Sequence, residues 1–332
     1  MEKETVYDVI VAGGGPVGIW AAYYSAFRGL NTILLESSES LGGQAVYLYP
    51  EKVITDIPGI PAVTGRDLVD RLIQQMNSVD VKSVLNAKVI SITKENDIRR
   101  VLTSRGDYAG RYVILTPGLG NFVPNRLGLP DVDAYEGKGV YYFVKSKEDF
   151  RGKDVVIVGG GDSAVDWALE LSSVAKTVYL VHRRNEFRAA QSNLKKLEEL
   201  GVKFVVPYVV KSVAGNESLE RVFLSRVDDG STLEIEAQSM LMMLGYKLDL
   251  GSAKSWGVDV NPDGILIDSN CMTSDPKIYA AGDIAAPREG IKQKLLVIGF
   301  AQATTAINNI SKNLHPYEPT FVHSTNIKSG SR

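Results

Sequence analysis

Sulfur chemistry has almost nothing to work with in this chain: 332 residues contain one cysteine, Cys271. A single thiol forms neither an intrachain disulfide nor a reactive pair, so inert packing is its expected role. Imidazoles are nearly as scarce, and His182, His315 and His323 are too scattered for a zinc site. No metal is expected. Charge of one sign is also missing, with 37 Lys and Arg against 39 Asp and Glu. That balance gives no global field to collect nucleic acid or an anionic membrane surface, so charge recognition must be local. No apolar run approaches the ~18 residues of a membrane span. The stretch before Gly13 has neither the basic leader nor the apolar core of a signal peptide, and a cytoplasmic location is the expectation.

What the chain does contain is one pattern written twice. The first copy, "YDVIVAGGGPVG", is an apolar strand (Val9 to Ala12) running into Gly13, Gly15 and Gly18 at G-x-G-x-x-G spacing. A helix is expected from Gly15 to about Arg28, starting with Pro16 and Val17 and stopped by Gly29. The strand "TILLE" then ends at Glu36, where such units carry an acid for ribose hydroxyls. Each glycine has its own reason: Gly13 for a tight turn, Gly15 for close approach of a pyrophosphate, Gly18 for packing of helix on strand. Free N–H groups at the helix start favour phosphate.

The second copy, "KDVVIVGGGDSA", has a strand from Val155 to Val158, then Gly159, Gly161 and Ala164 in the G-x-G-x-x-A variant, with Asp162 and Ser163 opening its helix. Its second strand, "TVYLV", ends at Val181. Positions 13 to 36 and 159 to 182 span the same offset, so His182 and Arg183 stand where the first copy has its acid. Arg184 and Arg188 follow. A carboxylate there would repel a 2′-phosphate, whereas guanidinium groups bind it through charge-assisted pairs. Two such bonds, each worth ~1.5–3 kcal/mol, favour NADP over NAD by roughly two to four powers of ten before desolvation losses. A solvated basic edge is the alternative reading of the same arginines.

Between the copies, "YVILTPG" (Tyr112 to Gly118) reads as a strand broken at Pro117 and Gly118. After the second copy, "VKFVVPYVVKSV" and "RVFLSRV" suggest strands, and "SMLMMLGYKLDL" a strand ending at Gly245. "KIYAAGDIA" gives a strand into a Gly-Asp turn, and "GFAQATTAINNISKNL" a helix before Pro316. The simplest arrangement is one nucleotide domain inserted in another, residues 1–116 and 247–332 enclosing residues 117–246.

These residues resemble the two-dinucleotide flavoproteins of the thioredoxin reductase fold, and within them the thioredoxin-reductase-like ferredoxin/flavodoxin NADP reductases. The resemblance rests on "GGGPVG", "GGQAVYLYPEK", "VIVGGGDSAVDWALEL", "HRRNEFRA", "IYAAGDIA" and "HSTNIK", and covers nearly the whole chain. It implies an α/β fold of two Rossmann-like domains, with the NADP domain inserted in the FAD domain, and a homodimer. It further implies that Glu36 binds the FAD ribose, Gln44 lies near the flavin, Tyr49 stacks on the ring, and Val89 sits against the adenine. Phe122 would lie near the ring system, Asp283 on the ribityl chain, and the helix beginning near Gly299 would aim its positive end at the flavin. His323 would cover the other flavin face, with Thr325 also reaching it. Core packing for Tyr49, a backbone-stabilising turn for Asp283 and a terminal residue without cofactor contact for His323 are the alternatives.

The chain departs from the family at Pro117 and at Asn125–Arg126, both near the expected crossing between domains. It also lacks the C-x-x-C pair that thioredoxin reductases carry before their second glycine fingerprint. The resemblance therefore implies hydride transfer from NADPH to FAD and release of single electrons to a ferredoxin or flavodoxin, with no side chain acting as acid or base. Acidic acceptors call for a basic patch, for which Arg288, Lys292 and Lys294 are candidates, a solvated loop being equally compatible. A flavin or quinone reductase or oxidase, and a non-catalytic FAD/NADP-binding sensor, are the competing functions.

Overall fold

In the computed structural model, which describes residues 5–48, 50–118, 123–247 and 253–317, the first apolar run forms β1 (Val6–Ala12), buried from Val9 to Ala12. Burial on both faces is what an uninterrupted apolar strand requires, and a parallel sheet supplies it. The helix α1 (Pro16–Phe27) follows, with its proline in the first turn where no N–H is needed. Gly29 ends it in the left-handed conformation, φ 79°.

Next come β2 (Thr32–Leu35), α2 (Gln44–Tyr47), α3 (Gly65–Met76), β3 (Lys82–Val84), β4 (Val89–Glu95), β5 (Ile98–Thr103) and β6 (Gly106–Leu115). They build a sheet in the order β3-β2-β1-β6-β5-β4. The pairs around β1 are parallel, while β4, β5 and β6 form an antiparallel meander.

The second fingerprint lies in a five-stranded sheet. Its elements are β7 (Val140–Tyr141), β8 (Asp154–Val158), α4 (Asp162–Leu171), β9 (Thr177–Val181), α5 (Gln191–Glu199) and β10 (Lys203–Val205). An antiparallel layer of β11 (Tyr208–Gly215), β12 (Leu219–Arg226) and β13 (Thr232–Glu236) precedes β14 (Ser239–Met242). The sheet order is β7-β14-β8-β9-β10, every pair parallel. The strand expected to end at Gly245 ends at Met242, and the left-handed turn at Gly245, φ 80°, follows three residues later.

The chain then supplies β15 (Ile278–Ala280), parallel to β6, and α6 (Leu296–Leu314). This helix starts at Leu296, so Gly299 of the expected start lies in its first turn. Glycine there marks a close approach: a Cβ on Gly299 would lie 2.5 Å from Val17 Cγ2. The chain divides into two compact units, one of residues 1–47, 53–122 and 248–332, the other of 48–52 and 123–247. Each has its own buried apolar core.

Candidate functional site

In the first unit, Gly13 has φ 116°, and its missing Cβ would fall 2.4 Å from the Thr116 carbonyl oxygen. Gly18 meets the same turn, where a Cβ would lie 1.7 Å from Gly13 O. Only glycine fits either place. Gly15 is different, since the nearest atom to a Cβ there is Gly43 Cα at 4.0 Å, which leaves room before the helix. Gly15 is also the N-cap of α1, and no side chain caps it. The first N–H groups of α1 thus have no side-chain cap, and the positive end of the helix lies behind them, an arrangement suited to a pyrophosphate. Pro16 and Val17 form the first turn.

Glu36 stands at the end of β2, buried, and its carboxylate is held from three sides. Gly14 N donates to Oε2 at 2.5 Å, Ser38 N to Oε1 at 2.7 Å and Ser37 Oγ to Oε1 at 3.0 Å. The Ala87 amide donates to the Glu36 main-chain oxygen at 2.7 Å, bringing the start of β4, with half-buried Val89, alongside the acid. Gln44 opens α2, and a Cβ on Gly118 would lie 3.1 Å from its Nε2. Asp283 sits in the turn after β15. Its neighbour Gly282 donates to Gln302 Oε1 of α6 at 2.9 Å, and a Cβ on Gly282 would lie 3.3 Å from Val17 Cγ2. The starts of α1 and α6 and the Gly-Asp turn therefore converge; Gln302 carries no signal in the sequence, while Gly299, expected as a helix start, proves to be a point of close contact with Val17. Tyr49, Phe122, His323 and Thr325 lie outside the described residues.

In the second unit, Gly159, Gly161, Asp162, Ser163, His182, Arg183, Arg184 and Arg188 line one cleft of about 720 Å³. These are all eight residues expected to hold NADP. Gly161 is the uncapped N-cap of α4 with no atom within 4 Å of a Cβ position, the same opening seen at Gly15. The middle glycine also has a counterpart. Where Gly14 meets Glu36, Gly160 meets His182, and a Cβ on Gly160 would lie 2.3 Å from ring Cε1 and Nε2. Burial, then the charges of Arg183, Arg184 and Arg188, pull the His182 pKa below its ordinary 6.5, so the ring is neutral at neutral pH. The three arginines are exposed and unite their charge at the cleft.

Outside these two places the structure assigns ordinary roles. Arg126 pairs with Asp133 at 2.9 Å and Glu136 at 2.7 Å, and Asn125 Nδ2 donates to Leu244 O at 3.0 Å. Of the basic candidates, Lys292 is half-buried and donates to the carbonyl oxygens of Asp263 and Asp283, and Arg288 lies 3.6 Å from Asp259. Cys271 is buried, and desolvation pushes its thiol up to about 12. Among the described residues no helix is long and apolar enough to cross a membrane.

The family described as pyridine nucleotide-disulphide oxidoreductase matches residues 7–309. A protein of Listeria welshimeri named ferredoxin–NADP reductase 2 is 40% identical over 331 residues, covering 98% of this chain and 99% of its own. One of Sulfurisphaera tokodaii named ferredoxin–NADP reductase is 38% identical over 330 residues, covering 97% and 98%. Among solved structures, thioredoxin reductase of T. acidophilum matches with a TM-score of 0.83 at 23% identity over 94% of this chain and 99% of that one. That likeness concerns the fold.

Proposed function

From its membership of the pyridine nucleotide-disulphide oxidoreductase family, and from full-length relatives named ferredoxin–NADP reductase, we propose that this chain is an FAD-dependent enzyme moving electrons between NADPH and ferredoxin. The observation that carries the reading is the unlike partner of the middle glycine in the two fingerprints: Glu36 at Gly14, His182 with its arginines at Gly160. One loop suits ribose hydroxyls; the other suits an extra phosphate.

On this reading the first unit is the FAD domain. Gly13, Gly15, Pro16 and Val17 hold the pyrophosphate, Glu36 the adenosine ribose, with Val89 beside the adenine and Gln44 and Asp283 toward the flavin. The fit is favourable, because N–H groups without a side-chain cap, beside a glycine with room for a Cβ, stand at the helix start that a pyrophosphate would use. When bound, FAD supplies the two-electron acceptor and one-electron donor that no side chain of this chain can be. The start of α6 beside the Gly282–Asp283 turn presents a positive helix end to that region. Tyr49, Phe122, His323 and Thr325 complete the flavin surroundings in the proposal.

The second unit is then the NADP domain, with Gly159, Gly161, Asp162 and Ser163 at the pyrophosphate and His182, Arg183, Arg184 and Arg188 at the 2′-phosphate. With one cysteine in the sequence, electrons have no cysteine pair to enter. A flavodoxin as alternative acceptor, a homodimer and a cytoplasmic location belong to the same proposal. A quinone reductase, an oxidase or a non-catalytic sensor finds no support in the names of the relatives. The reading is tested by adding NADPH anaerobically to the purified protein: the yellow colour bleaches and returns on adding oxidised ferredoxin. A colourless protein, or a colour NADPH leaves untouched, overturns it.

A further inference from the structure

Behind the cleft of the second unit, packed on the core and not itself lining the cleft, lies one aromatic residue, Phe187, whose position the phosphate chemistry does not explain. The segment from His182 to Ala190 carries the arginines but forms neither helix nor strand. Long cationic side chains on irregular backbone lose much rotamer freedom on binding, so a selective site must hold the backbone and its neighbours beforehand. At one end His182 N donates to Val205 O at 3.2 Å and Tyr208 N to His182 O at 2.9 Å. At the other, Arg188 N donates to Gly160 O at 2.7 Å, and Gly161 and Arg188 form a β-bridge. Between these ties, Arg183, Arg184, Asn185 and Glu186 are exposed, and Phe187 alone turns inward to the core beneath α4.

The Phe187 ring lies 5.3 Å from the His182 ring, and 5.6 Å from Phe204 of β10 in an edge-to-face arrangement at 80°. Gly160, His182, Phe187 and Phe204 thus form a continuous series of contacts from the phosphate loop to the sheet. We propose that Phe187 is the specificity-determining positioning residue of this cleft: by backing the His182 ring against Gly160 it fixes where Arg183, Arg184 and Arg188 present their charge. This rests on the reading of the cleft as the NADP(H) site. The neutrality of His182 agrees with a packing role, since a charged imidazole beside three guanidinium groups would push them apart. The edge-to-face pair of Phe187 with Phe204 also contributes more than its buried area alone, which an aliphatic side chain would not.

The test uses adenosine 2′,5′-bisphosphate and adenosine 5′-monophosphate as probes, titrated calorimetrically into the FAD-loaded protein. Phe187→Leu weakens the bisphosphate about tenfold, a loss of about 1.4 kcal/mol, and leaves the monophosphate within about twofold. It raises KM for NADPH without lowering kcat at saturation. Phe187→Tyr keeps the ring and restores both values. Should Phe187→Leu fold poorly, Phe187→Met is measured in its place, with FAD content and melting temperature as controls. Wild-type bisphosphate affinity in the aliphatic variant overturns the proposal, and so does an equal loss in Phe187→Tyr. Arg183→Ala separates the two levels: if it loses bisphosphate affinity while the aliphatic Phe187 variant does not, the positioning role fails and the cleft reading stands. If neither loses it, the cleft reading fails too.

Discussion

The Gly14 amide donates to Glu36 Oε2 at 2.5 Å, which fixes a buried carboxylate at the end of β2 facing the first glycine loop. Its two oxygens take bonds from Gly14, Ser37 and Ser38 and keep lone pairs for further donors. Glu36→Ala leaves those donors without their acceptor and removes the proposed ribose anchor, so the variant is expected to retain FAD at least about tenfold more weakly. The FAD-to-protein ratio after gel filtration, read from the visible absorbance, checks this. A variant as yellow as the wild type contradicts it.

Arg183 and Arg184 line the second cleft on the exposed side of His182. Removing one charge-assisted contact to a 2′-phosphate costs about 1.5–3 kcal/mol, so each alanine variant is expected to lower kcat/KM for NADPH roughly 10- to 100-fold. The value for NADH should change little. Initial rates with both nucleotides, at fixed salt, give the ratio directly.

The His182 pKa lies below 6.5 in the folded chain because burial and the neighbouring arginines disfavour its charged form. The unfolded chain therefore binds the proton more readily. Stability from this site is full above pH 6.5 and declines as the pH falls from there toward the folded-state pKa. The urea midpoint of the wild type should drop between about pH 8 and about pH 5 by more than that of His182→Gln. Parallel profiles for the two proteins contradict the assignment.

Cys271 is buried, and its thiol titrates only at about 12. Electron transfer should survive Cys271→Ala with kcat changed less than about twofold, and thiol-alkylating reagents should leave the native enzyme active at neutral pH. Stoichiometric labelling of native protein with loss of activity is the opposite result.

Much of this was legible in the sequence because the two fingerprints are short-range devices. Strand, glycines, helix and second strand follow within about thirty residues, and the equal offsets of Glu36 and His182 marked the matching positions at which the two loops carry unlike residues. Longer-range features were less readable. Gly299 looked like a helix start yet lies inside α6, because its purpose is contact with Val17, which is distant in the chain. Lys292 looked like part of a basic surface, but its carbonyl partners at Asp263 and Asp283 are 29 and 9 residues away, and nothing local distinguishes such a lysine from a solvated one. Phe187 was hidden for a related reason: an aromatic residue within a run of arginines acquires meaning only when Phe204 is brought beside it.

Ferredoxin-mediated cytochrome c reduction by the FAD-loaded protein, with NADPH and NADH compared at equal concentration, is the decisive test of the proposed function. The expected rate depends on ferredoxin and favours NADPH by at least about a hundredfold, as two charge-assisted phosphate contacts imply. A rate indifferent to ferredoxin, or one that favours NADH, contradicts it.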